Sequence, residues 1–175
     1  SALRQLLGPD VDPLLYGVGV FLMRHEPYEL LREFMYECRP LLYREPILTR
    51  VCFRVLLERS AELLEARTEA YALVTTLLSQ PETYTSVRLA LLYELAERLD
   101  RLEAPEMDLL LTQINLDVPQ VARAYLKLLE HLWDRTQDLA VDELLWWRGI
   151  KRLGVLEDTF DSRQLLPVIG PFARK

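Results

Sequence analysis

The chain has 175 residues, of which 50% are hydrophobic and 27% charged, and this composition excludes an intrinsically disordered protein. Its formal net charge of -6 argues against a general nucleic-acid-binding protein. No apolar run approaches the ~20 residues that cross a bilayer, so we expect no membrane span in this segment.

Apolar residues at helical spacing dominate the chain, and proline marks where many of the segments begin, since proline is favoured at the first helical position. We expect Asp12 to cap the helix that starts at Pro13, and Ser60 to cap a later one. The pattern predicts helices at residues 2–7, 13–25, 27–38, 46–58, 60–79, 84–102, 105–115, 119–136, 141–153 and 162–167.

The stretch "LYGVGVFLM" is the least typical of these helices, because Gly17 and Gly19 each lower helix propensity by roughly 1 kcal/mol. A strand at this position would have no partner strand elsewhere in the chain. We therefore interpret the stretch as helical, with small residues that let a neighbouring helix approach closely.

Two cysteines in 175 residues do not make a disulfide framework. Cys38 and Cys52 lie among apolar residues and lack an activating base nearby in the sequence. We interpret them as small core residues with free thiols in a reducing, intracellular compartment, either cytoplasmic or nuclear. A single disulfide remains the alternative.

The two helices after residue 84 show their faces clearly. In 84–102, Leu91 and Leu95 line the apolar side and Glu94 lies on the polar side. In 119–136, the polar stripe contains Arg123, Lys127, Glu130 and Asp134. Two adjacent apolar ridges complete that helix: Val121, Tyr125, Leu128 and Leu132 form the first, and Ala122, Leu126, Leu129 and Trp133 form the second. A helix with two ridges packs on more than one neighbour.

No catalytic, metal or cofactor site is predicted. His131 lacks a second histidine or cysteine at ligand spacing, and we expect it to pair with Asp134 on the helix surface. The acids Glu157, Asp158 and Asp161 fit a helix start better than an acid–base pair. Phosphate-binding and nucleophile-elbow motifs are absent from the sequence.

The segment "DELLWWRGIKRLG" carries the sharpest functional clue. At about 100° per residue, Trp146, Ile150 and Leu153 share one face and form the core side, while Arg148 and Arg152 lie on the far side. Trp147 is left between Leu144 and Lys151. Three roles compete for it: packing under the C-terminal tail, anchoring a protein partner, or stacking a nucleic-acid base.

The C-terminal end is also the basic end. Residues 148–175 hold six bases and three acids, a local charge of +3. We expect four residues of the segment 141–175 to contribute to a protein interface: Trp147, Arg148, Lys151 and Arg152.

These observations predict an all-α fold of eight to ten helices packed as antiparallel pairs, either a short HEAT-like superhelix or an irregular bundle. We expect a single helical domain over 1–175, excised from a longer protein because the chain enters a helical pattern at once after Ser1.

The functional hypothesis is a non-enzymatic, scaffold-like protein–protein interaction module within a multi-subunit or multidomain protein. The first alternative is a nucleic-acid-associated accessory domain that uses the basic end. The second is an enzyme whose site joins distant residues such as His131, Asp134 and Asp161.

Overall fold

The computed structural model describes residues 12–98, 106, 108, 112–136 and 148–152, with the backbone alone for 133–136. All regular structure in these ranges is helical, and they contain no strand, so the predicted all-α class is confirmed. The predicted helices at 2–7 and 162–167 lie outside the described residues. None of the described helices has the length and apolar character needed to cross a membrane.

The described ranges contain six α-helices and one 3₁₀ helix. Their bounds are α1 Pro13–Leu22, the 3₁₀ helix Met23–His25, α2 Tyr28–Leu42, α3 Pro46–Arg59, α4 Leu64–Ser79, α5 Thr85–Ala96 and α6 Pro119–Thr136. Residues 148–152 are also helical. The chain divides into two compact units, Ser1–Leu91 and Leu92–Lys175. The single domain and the choice between superhelix and bundle stay predictions.

Proline starts three of the helices as expected. Pro13 and Pro46 occupy the first turns of α1 and α3, and α6 begins at Pro119. Asp12 caps α1, because its Oδ1 accepts a hydrogen bond of 3.0 Å from the backbone N–H of Leu14. These starts depend on residues next to each other in the sequence, which is why the sequence predicts them.

Three predicted boundaries were wrong. The helix predicted over 84–102 ends at Ala96, and residues 97 and 98 form a turn. Helix α2 continues past residue 38 and through Pro40, which removes only one hydrogen bond near the helix end, and the extra turn buries Leu42. Ser60 does not cap the next helix. It ends α3 instead, where its hydroxyl donates to the Leu57 carbonyl, and α4 begins only at Leu64.

Helix α3 lies at the centre of the first unit, in contact with α1, α2 and α4. Its buried residues point in several directions, as this position requires: Leu48, Thr49, Cys52, Phe53, Val55 and Leu56. Thr49 is the polar member of this set. Its hydroxyl donates to the Leu42 carbonyl at 2.7 Å, which satisfies it and ties α3 to the end of α2.

Helix α1 approaches α2 closely at one glycine. A Cβ atom built on Gly19 would collide with the ring of Phe34, which itself packs against Tyr16 with ring centroids 5.9 Å apart. The expected role of small residues is therefore confirmed at Gly19. It does not hold at Gly17, where a Cβ atom would meet nothing within 4 Å.

A polar bridge joins α2 to α4 across the surface. Arg32 forms ion pairs with Glu65 at 2.8 Å and Glu69 at 2.9 Å, and the Tyr28 hydroxyl donates to Glu69 at 2.6 Å. Burial, together with the hydrogen bond to Glu69, raises the pKa of Tyr28 well above its usual value. Beside this bridge lies a groove of about 850 Å³, which we call the α2–α4 groove.

The two glycines of α1 give a matched test of this packing. Gly17→Ala should raise the free energy of unfolding by about 0.5–1 kcal/mol, because alanine favours a helix and the site is open. Gly19→Ala should lower the free energy of unfolding by about 1 kcal/mol or more. The new methyl group collides with the Phe34 ring, and the cost of this overpacking exceeds the gain from the higher helix propensity of alanine. Urea unfolding followed by circular dichroism measures both. Equal changes in the two variants would contradict the close approach at Gly19.

Candidate functional site

The four predicted interface residues have different environments. Trp147 lies outside the described residues. Arg148 is half exposed and forms an ion pair with Asp108 at 2.5 Å, and Lys151 is exposed. An exposed ion pair of this kind contributes about 0–1 kcal/mol and leaves both side chains near solvent. Arg148 and Lys151 therefore remain accessible in the second unit.

Arg152 differs from the helical-wheel expectation. It is partly buried, its Nη2 donates to the Ile114 carbonyl at 2.5 Å, and its guanidinium lies 5.8 Å from the centre of the Tyr125 ring. The helical wheel placed its Cα on the far side, but a long arginine side chain reaches back over a buried aromatic ring. Arg152 therefore supports the packing of its own unit. Ile150 is buried as predicted, while Trp146 and Leu153 lie outside the described residues.

The short helical segment 148–152 packs directly on α6. A Cβ atom built on Gly149 would lie 2.5 Å from Leu129 Cδ2 and 3.1 Å from the Tyr125 hydroxyl. The predicted ridges of α6 are confirmed: the residues of both ridges are buried up to Leu132, and the side chain of Trp133 lies outside the described part. Burial raises the pKa of Tyr125 to about 12, although Arg152 acts in the opposite direction.

Glu94 is a further correction to the predicted helix faces. Leu91 and Leu95 are buried as expected, but Glu94 is buried as well, with 1% of its surface exposed. Arg98 accompanies it, with Nη1 2.6 Å from Glu94 Oε2. Because a buried carboxylate is stable only when paired, this ion pair allows the side chain of Glu94 to be buried.

The described residues contain no group of three or more histidine, cysteine or acidic side chains that could hold a metal ion. His131 is exposed, and its Nδ1 lies 2.8 Å from the Lys127 carbonyl. The side chain of Asp134 and the acids Glu157, Asp158 and Asp161 lie outside the described residues.

A surface on α1 and the start of α3 stands out instead. Six large apolar side chains are more than half exposed there: Leu14, Leu15, Val18, Phe21, Leu22 and Ile47. We call these six the α1–α3 surface. Scattered apolar residues are normal on a protein, but a contiguous set is typical of an interaction site.

Within this surface lies a groove of about 590 Å³ between α1 and α3. Its walls include Leu14, Phe21 and Ile47, and Gly17 lies at its base with open space above it. The described lining holds two charged residues, Asp12 and Glu45, and both are acidic. The lining of the groove is therefore apolar with two acidic residues, and the guanidinium of Arg24 lies 3.7 Å from the centre of the Phe21 ring at its edge.

The sequence holds a signal for this surface that the helical pattern alone did not reveal. Helix α1 reads "PLLYGVGVFL" and contains no charged residue. A helix that is apolar all round is fully buried only if neighbours cover every side. Here α3 and α2 contact α1, and its other apolar side chains remain exposed.

The α2–α4 groove has the opposite character. Charged residues line much of it: Glu29, Arg32, Glu33, Glu37, Arg39 and Glu69. Arg32 and Glu69 already pair with each other in the polar bridge. The apolar groove is therefore the stronger candidate for recognition through burial of surface.

Comparisons with known proteins found no matching family model, no matching curated protein and no matching solved structure.

The raised pKa of Tyr125 predicts a pH dependence of stability. Between pH 10 and 12 the unfolded chain loses the phenolic proton, whereas the folded chain keeps it. The stability contributed by this group is complete below pH 10 and falls as pH rises through the window, by at most about 1.4 kcal/mol per pH unit.

Urea unfolding at several pH values, on the native chain and on Tyr125→Phe, measures this contribution. Tyr28 adds a slope of the same sign in both proteins, so the difference between their slopes reports Tyr125. Identical slopes would contradict the burial of the Tyr125 phenol.

Proposed function

We propose that this chain is a non-enzymatic helical module that binds another protein through the α1–α3 surface. The observation that carries the proposal is the exposure of six large apolar side chains on α1 and the start of α3, four of which line the groove: Leu14, Val18, Phe21 and Ile47. Full burial of one such side chain is worth about 1.5–3 kcal/mol, so a partner covering several half-exposed ones gains useful affinity. Membership of a larger complex and an intracellular location are parts of the same proposal.

The shape and charge of the groove indicate which kind of partner segment fits it. A groove between two helices suits an amphipathic helix whose apolar side chains enter at one face. Asp12 and Glu45 are acidic and the described lining contains no base, so lysine or arginine beside that apolar face gives charge complementarity. The occupant proposed is therefore a basic amphipathic helix of a partner protein.

The basic C-terminal end stays a separate proposed interaction site of the second unit, through Trp147, Arg148 and Lys151. The nucleic-acid alternative would use the same residues. It has less support, because Arg152 is engaged with Ile114 and Tyr125, and the chain as a whole is acidic.

Calorimetric titration with a synthetic peptide tests the proposal. The probe is a 20-residue amphipathic helix with leucine on one face and lysine on its flanks. We expect Leu14→Asp to weaken binding at least about tenfold, a loss of ~1.4 kcal/mol. Gly17→Leu should also weaken it, because a Cβ atom at this position meets nothing within 4 Å and Gly17 lines the groove that the new side chain would occupy.

Leu64→Asp is the matched control. Leu64 is 78% exposed in the first turn of α4, as Leu14 is 56% exposed in the first turn of α1, but it lies outside the α1–α3 surface. Binding by Leu64→Asp should equal that of the native chain. Two results would overturn the proposal: equal binding by all variants, or a concentration-dependent dimer, seen by sedimentation, that Leu14→Asp abolishes.

A further inference from the structure

The groove between α1 and α3 has two ends of different chemistry. Both helices begin at one end, because the lining includes Asp12 from the start of α1 and Glu45 from the start of α3. They also finish at a common end, since Arg59, the last residue of α3, donates from its guanidinium to the Arg24 carbonyl just after α1. The two helices are therefore parallel, and the groove runs from their first turns towards their last turns.

The end at which the helices begin is acidic. Asp12 and Glu45 line it, and they occupy the N-cap positions of α1 and α3. Asp12 is exposed and uses one oxygen for its own helix, because its Oδ1 accepts from the Leu14 N–H. Glu45 is partly buried and its side chain makes no capping bond to α3. The Glu45 carboxylate can therefore pair with a base of a bound partner.

The end at which α1 finishes carries a positive charge. The Arg24 guanidinium lies 3.7 Å from the centre of the Phe21 ring, and Phe21 lines the groove. Arg24 Nη1 also donates to the Phe21 carbonyl at 2.8 Å, which holds the side chain at this end. No ion pair joins Arg24 to an acidic side chain among the described residues. A carboxylate of a bound partner can supply the missing negative charge.

A helix matches these two ends best in one direction. Acidic side chains are favoured in the first turn of a helix and basic ones in the last turn, because the helix dipole is positive at the N-terminus and negative at the C-terminus. A helix with this charge order fits when its last turn lies beside Asp12 and Glu45 and its first turn lies beside Arg24. It then runs antiparallel to α1 and α3, and its dipole opposes theirs, which is the favourable arrangement.

We propose that the groove between α1 and α3 selects the direction of its partner helix, with Arg24 and Glu45 as the specificity-determining residues. The bound helix is antiparallel to α1 and α3, acidic in its first turn and basic in its last turns. This inference rests on the protein-binding function proposed above and adds to it the direction and charge order of the partner.

Two peptides of identical composition and the same leucine face provide the test. The forward peptide has glutamates in its first two turns and lysines in its last two turns, and the reverse peptide exchanges these two blocks. In calorimetric titrations the native chain should bind the forward peptide about fivefold more tightly, because each exposed charge pair contributes little. This preference should shrink in about 0.5 M NaCl, since salt screens exposed charges.

Variants of the chain separate the groove from the peptides, because the forward peptide is also the more stable isolated helix. Arg24→Glu/Glu45→Lys exchanges the charges at the two ends of the groove. It should shift the ratio of the two dissociation constants towards the reverse peptide by about tenfold. The helicity of each free peptide is the same in every titration and cancels from this shift.

Arg39→Glu is the matched control. Arg39 is exposed and lines the α2–α4 groove, so it reverses the same charge on another surface of the same unit. The ratio of the two dissociation constants should equal that of the native chain.

A nitroxide label at the C-terminus of the forward peptide reports the direction itself. Leu14 lies in the first turn of α1 and Leu22 is its last residue. In NMR spectra of the native chain, the label should broaden the amide signal of Leu14 more strongly than that of Leu22.

Two results would overturn the proposed direction and leave the protein-binding function intact. One is a ratio of dissociation constants that is the same for the native chain and for Arg24→Glu/Glu45→Lys. The other is stronger broadening at Leu22 than at Leu14. Absence of binding by both peptides would instead overturn the protein-binding function, and the direction with it.

Discussion

The packing of α3 against three neighbouring helices is the constraint on which the first unit depends. Helices α1, α2 and α4 each contact it, and its buried residues face all of them. Because α3 is enclosed in this way, Thr49 must satisfy its hydroxyl internally, and it does so on the Leu42 carbonyl. The features of this unit with functional interest therefore lie on or beside α3.

Helix α1 has one face that packs in the core and one face that forms the proposed interaction surface. The face that carries Tyr16, Gly19 and Val20 meets its neighbours, and Gly19 sets the distance to Phe34. The opposite face has no polar side chain to offer to water. Its exposure costs solvation free energy unless another molecule covers it, and this cost is the physical basis of the proposed docking function.

Local rules explain what the sequence could predict. The cap at Asp12, the start at Pro46 and the two ridges of α6 depend on residues within a few positions of one another. The contacts of Arg152 depend on partners brought close by packing. Glu94 has a local partner, Arg98, four positions away, but its burial depends on the packing around it, so helical periodicity alone indicated neither. The exposed face of α1 was missed for the same reason, because exposure depends on the number of neighbours that a helix finds. The Ser60 hydroxyl could accept from a backbone N–H at the start of the next helix or donate to a carbonyl at the end of α3. It donates to the Leu57 carbonyl of α3.

Arg59 has a consequence for the order of folding. Its guanidinium donates to the carbonyls of Arg24 and Glu26, at 3.0 and 2.6 Å, and so holds the corner between α1 and α2 from the far end of α3. These contacts span 35 and 33 positions of sequence. The corner is thus held by non-local hydrogen bonds. They form only after the chain between residues 26 and 59 has lost its conformational freedom. We expect this corner to become native late, after α3 has docked, with α1 free to sample other angles until then.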